Sequence, residues 1–145
     1  MTLAASLISL AMSGCTVIIS TGIFSDISTT HGVQIIAAVA SRATTVDTVT
    51  ARLTNTGDRA VFVPRCGSQP LLLAEELVNG AWTRASEAAC PPADAAARIE
   101  LDPGSTVIAV HVFAASGRFR LVATVAKNED FSDGSSVASN SFEIR

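Results

Sequence analysis

The stretch from Val46 to Cys90, VDTVTARLTNTGDRAVFVPRCGSQPLLLAEELVNGAWTRASEAAC, decides the fold. Val49, Ala51 and Leu53 alternate with Thr48, Thr50, Arg52 and Thr54. That two-residue period gives a strand one apolar and one polar face. Asn55-Thr56-Gly57-Asp58 ends it with residue types that accept left-handed backbone or bond back to it, so a turn follows. The turn chemistry fits both a tight hairpin and an arch between two sheets. Val61, Phe62 and Val63 form a second apolar run. Pro64 stops it, as befits a strand end or edge, because proline donates nothing to a ladder.

The second half of the stretch fixes a register. Asn79-Gly80 suits a two-residue type I′ hairpin. Counting outward sets Val78 against Ala81, Leu77 against Trp82, Glu76 against Thr83 and Glu75 against Arg84. Leu77 with Trp82 then makes an apolar cross-strand pair, and Glu75 with Arg84 an ion pair on the same face. A short helix from Pro70 to Leu77 competes with this reading, since Leu73 and Leu77 lie four apart.

Outward from this stretch, the 145 residues are 48% hydrophobic and 16% charged, which suits one domain. Ten basic against thirteen acidic side chains leave a net charge of −3. The chain has no basic stripe, so nucleic acid is not an expected partner. Six Phe, one Trp and no Tyr mean a core built on Val, Ile, Leu and Ala.

Thr2 to Gly14 carry no charge and are too short an apolar run for a membrane span, which reads as a signal peptide over residues 1–14. Leu10-Ala11-Met12-Ser13-Gly14-Cys15 resembles the lipobox of bacterial lipoproteins. The resemblance implies that Cys15 is the lipidated first residue, that the membrane is reached through a lipid anchor, and that the protein works in the cell envelope. Thr16 rather than Asp follows the cysteine, which by the same analogy implies an outer-membrane destination where the cell has one. Residues 15–32 read as the lipidated terminus and tether, and residues 33–145 as the domain.

Setting Cys15 aside leaves Cys66 and Cys90, an even pair in a compartment where disulfides persist, and a bond between them is expected. Neither lies in a Cys-x-x-Cys motif, and His31 and His111 have no ligand spacing to them. No metal and no cofactor are expected. His111 reads as a structural or surface residue. Glu129, Asp130 and Asp133 lack the spacing of an EF-hand loop and read as a solvated hairpin loop.

The remaining strands follow the same rules. Val33 to Val39 alternate in a first strand that is largely apolar on both faces. Ser41 to Thr45 link it to the next. Pro91 to Asp94 mark a loop, with room for a helical turn over Ala95 to Ala97. Arg98 to Leu101 resume strand character, and Asp102-Pro103-Gly104 fits a type II turn, with Pro second and Gly third. Thr106 to Phe113 form the longest apolar strand. Beyond Gly117, Phe119, Leu121, Ala123 and Val125 share an inward face. Asn128 to Ser136 are a polar loop, and Phe142 and Ile144 lie on a final strand. Seven or eight short strands with turns between them argue an all-β, Ig-like antiparallel β-sandwich.

In order, Leu53-Thr54-Asn55 with Gly57, Gly80-Ala81-Trp82, Leu101-Asp102-Pro103-Gly104, Gly117-Arg118-Phe119-Arg120-Leu121 and Phe142-Glu143-Ile144 resemble the BsuPI-type proteinase inhibitor domain and similar Ig-like modules of bacterial lipoproteins. Phe119 stands where such domains often carry Tyr. The resemblance implies the sandwich and, as an alternative function, a membrane-tethered proteinase inhibitor. The leading expectation is a lipid-anchored binding or structural module without catalytic activity, meeting an envelope protein. No serine sits in a Gly-x-Ser-x-Gly elbow. The segment from Cys66 to Cys90 is the expected recognition surface, with Glu75, Trp82 and Arg84 on it. The competing reading places Trp82 in the core against Leu77.

Overall fold

The computed structural model describes residues 27–39, 47–85, 90 and 97–145. The expected signal peptide and Cys15, the linker Ser41 to Thr45 and the loop Pro91 to Asp94 lie outside them. The described strands are β1 (Thr29–Thr30), β2 (Val33–Val39), β3 (Asp47–Asn55), β4 (Val61–Cys66), β5 (Gln69–Pro70), β6 (Leu73–Val78), β7 (Ala81–Arg84), β8 (Arg98–Leu101), β9 (Thr106–Phe113), β10 (Gly117–Val125), β11 (Ser135–Ala138) and β12 (Phe142–Ile144). All their pairings are antiparallel. The count exceeds seven or eight because β1 and β5 are two-residue pieces and because β10 is met along one edge by β11 and β12 in turn.

One sheet runs β1-β2-β3-β9. The other is built on β10, which pairs with β11 and β12 along one edge and with β6, then β7, beyond the other. β4 joins β10 where Phe62 and Ala126 exchange backbone hydrogen bonds of 2.7 and 3.0 Å, and β8 and β5 flank β4. The chain therefore crosses between sheets after Asn55, and the turn left open by the sequence is an arch. This is the Greek-key crossing of an Ig-like sandwich.

The alternation that marked β3 decides its packing. Val49, Ala51 and Leu53 are fully buried, and Leu121, Ala123 and Val125 of β10 come from the opposite sheet into the same core. Val, Ile, Leu and Ala supply most of that core, as the composition implies. The exception is a cluster at one end, where Phe113 lies 4.8 Å from Phe119 and 5.4 Å from Phe142 between ring centroids. Phe119, without a hydroxyl, is thus used for aromatic packing. On the outer face of the first sheet, β9 leaves Ile108, Val110 and Val112 about half exposed.

Pro64 departs from its expected role. β4 continues through it to Cys66, because the position that lacks an N–H faces away from β8. The neighbouring Arg65 N–H donates to Ala97, and the Pro64 carbonyl accepts from Leu71 N–H, so no ladder bond to β8 is lost. The helix that competed over Pro70 to Leu77 is not formed, since β5 and β6 occupy that span. The domain also begins before Val33: Thr29 and Thr30, read with the tether, pair with Gln34 and Val33.

Two asparagines join the layers. Asn55 is fully buried, and its Nδ2 donates to the carbonyls of Arg59 (2.7 Å) and Leu101 (2.9 Å) while its Oδ1 accepts Gly57 N–H at 3.0 Å. Its own backbone bonds Ser105 and Gly104, so the arch and the β8–β9 turn close on one residue. That second turn has Gly104 at φ 77° and Ser105 N–H on the Asp102 carbonyl at 3.0 Å, the type II form its sequence implies. Asn140 accepts Ala37 N–H at 2.8 Å and donates to Ala37 O at 3.0 Å, stitching the interrupted β11–β12 edge to β2.

Candidate functional site

The β6–β7 hairpin takes the register counted from its turn. Glu75, Glu76, Leu77 and Val78 oppose Arg84, Thr83, Trp82 and Ala81. Asn79 and Gly80 both adopt positive φ, 51° and 83°, as a type I′ turn requires. Alternation then sends Ala74 inward, where it is buried, and Glu75 and Leu77 to the outer face together with Trp82 and Arg84.

The ion pair differs from the expected one. Glu75 faces Arg84 on one side and Arg120 of β10 on the other. Arg120 takes it: its Nε donates to Glu75 Oε2 at 2.8 Å and its terminal nitrogen to the same oxygen at 2.7 Å. The reason is the central position of Arg120 in the sheet, where it can also lay its guanidinium over Trp82, 4.5 Å from the ring centroid. A carboxylate, a guanidinium and an indole thus form one row across three strands, holding an Arg planar group in the arrangement that suits both partners. Arg84 stays exposed at the rim. Trp82 is half-buried within this row and does not belong to the core between the sheets.

Cys66 and Cys90 stand at disulfide distance, their Cα atoms 5.4 Å apart. Their bond closes a segment of sequence separation 24, for which loop-closure entropy gives about 3.5 kcal/mol. The hairpin with Trp82 is therefore carried on an excursion pinned at both ends.

Arg120 is the residue that sequence reasoning missed at this site. Its signal was present in the alternation of Arg118-Phe119-Arg120-Leu121, which turns Arg120 to the outer face, but the identity of its neighbour strand is not local information. His111 packs its ring 4.9 Å from that of Phe113, and burial pushes its imidazole below the ordinary histidine range. In the polar loop, Asp133 accepts the N–H groups of Lys127 and Asn128 at 3.1–3.2 Å, and Asp130 accepts Ser132 N–H at 3.0 Å. Both carboxylates close turns. Among the described residues no three His, Cys, Asp or Glu side chains come together as a metal site.

No protein-family model and no curated protein matches the chain. Among solved structures it is similar to the ASH/PapD-like domain of human CEP192 (PapD-like domain 7), with 12% sequence identity, 99% of each chain covered and a TM-score of 0.38.

Proposed function

We propose that this protein is a lipid-anchored binding module of the cell envelope, without catalytic activity of its own. Cys15 carries the lipid, and the Cys66–Cys90 segment faces an envelope protein. The observation that supports this reading most is the state of Trp82. A large aromatic side chain outside the core, partly open to solvent, is braced by the Arg120 guanidinium before any partner arrives. Pre-ordered aromatic and arginine side chains are the usual anchors of protein interfaces. Arg84, exposed beside it, and Glu75 supply the polar rim. The BsuPI-type resemblance makes a proteinase one candidate partner, and an inhibition panel tests that identity separately.

The test is photo-crosslinking in intact cells from position Arg84, with Thr50 on the outer face of the opposite sheet as the control position. A discrete adduct from position 84 that is absent from position 50 is the expected result. Equal adduct patterns from both positions, or none from 84, contradict the reading. Mass spectrometry of the membrane fraction should find a diacylglycerol thioether on Cys15, since two acyl chains suffice for stable anchoring, and an unmodified Cys15 removes the anchor.

A further inference from the structure

Away from the hairpin, at one end of the sandwich, the β1–β2 turn, the β3–β4 arch and the loop after β10 surround a cavity of about 410 Å³. His31, Gly32, Gly57, Asp58, Arg59 and Lys127 line it. We propose that this cavity binds a monoanionic oxyanion group, a carboxylate or a phosphodiester, between Arg59 and Lys127.

The argument begins with the backbone. Two glycines let the turn and the arch touch: a Cβ on Gly32, which has φ 82°, would stand 2.8 Å from Gly57 Cα. Gly32 O also accepts both the N–H and the hydroxyl of Thr56 at 2.8 Å. His31, itself left-handed at φ 51°, donates from Nε2 to the Asp133 carbonyl at 3.2 Å, tying the turn to the third loop. Arg59 is held at its carbonyl by the fully buried Asn55, and Lys127 at its N–H by the Asp133 carboxylate. The backbone from which both exposed cations project is thereby fixed before any ligand arrives.

Charge selects the ligand. Among the described residues, neither the Arg59 nor the Lys127 side chain has an ion pair. Of the acids on these loops, Asp130 and Asp133 are turned onto backbone N–H groups, Glu129 pairs with Arg98, and Asp58 is the one acid in the lining. Two cations against one carboxylate leave one positive charge in the wall, which matches a singly charged group. A guanidinium fork and an ammonium on separate loops are suited to two oxygens of one carboxylate or phosphodiester. The free ligand and a lipid headgroup share this chemistry.

The experiment is amide-shift titration of the full chain by NMR, with acetate and with dimethyl phosphate at constant ionic strength. Wild-type protein should show saturable shifts at Gly32, Gly57 and Lys127. Arg59→Gln and Lys127→Gln should each weaken binding roughly tenfold, as expected for one lost charge-assisted bond, with unchanged melting temperatures. Arg145→Gln, whose guanidinium meets Glu143 at 3.2 Å at the C-terminus, should bind as wild type. Vesicles of phosphatidylglycerol against phosphatidylcholine separate the sources. Retention on phosphatidylglycerol that the Arg59/Lys127 double variant loses identifies a headgroup, and binding of the soluble probes alone identifies a free ligand. Linear, unsaturable shifts, or affinities equal in wild type and both single variants, overturn the proposal.

Discussion

Asn55 shows how much one side chain can organise. It ends the strand whose alternation is plainest in the sequence, and it was legible there only as a turn former. Its burial depends on the β8–β9 turn, far along the chain, whose backbone it bonds. Asn55→Ala would leave the Arg59 and Leu101 carbonyls and the Gly57 N–H without that partner, and roughly 2–4 kcal/mol of stability should be lost by urea denaturation. Asn55→Asp should be no milder, because a carboxylate offers no donor to the two carbonyls. A loss under about 1 kcal/mol would mean that water replaces the side chain freely. His111 makes a second residue-scale prediction. Its folded-state pKa is depressed by burial, so its contribution is fully present above the ordinary histidine value near 6.5 and is lost as pH falls from there toward the folded value. Between pH 7.5 and 5, wild-type protein should lose more melting temperature than His111→Gln, and equal losses contradict the assignment.

At the scale of elements, local signals were read well and non-local ones were not. The β6–β7 register follows from Asn79-Gly80 because a type I′ turn leaves one way to count. β8, β9 and β12 appear where alternation and turn chemistry bound them. β11 hid in a polar loop because Ser135 and Ser136 carry no apolar signal, and Val137 alone marks its inward face. The candidate site shows the same division. Cysteine parity pointed to Cys66 with Cys90, and periodicity put Glu75, Trp82 and Arg84 on one face, but which strand lies beyond β6 is a property of the sheet. That strand brings Arg120, and with it a row that ties β7, β6 and β10 together. Arg120→Met should keep the stem packing while removing the charge, at a cost of about 1 kcal/mol for a part-buried pair and stacking contact. A double-mutant cycle with Glu75→Gln should recover a coupling of a few tenths of a kcal/mol or more. A cycle that closes to zero would assign Arg120 to packing alone.

At the scale of the whole molecule, the core between the sheets and the Glu75–Arg120–Trp82 row are separate. The buried cluster is made of aliphatic side chains with an aromatic end at Phe113, Phe119 and Phe142, whereas Trp82 lies on the outer face and the Cys66–Cys90 link pins the excursion that carries it. A domain of this design can lose Trp82 and keep its fold. The direct measurement of the proposed binding role is Trp82→Ala in the full-length protein, comparing the adduct formed from position 84 in cells with the melting temperature of the same variant. The account predicts that the adduct is lost while the melting temperature stays within a few degrees, the shift that about 1 kcal/mol or less produces in a domain of this size. A loss of the ~3–5 kcal/mol expected for a deleted core aromatic, or an adduct that survives the substitution, would contradict it.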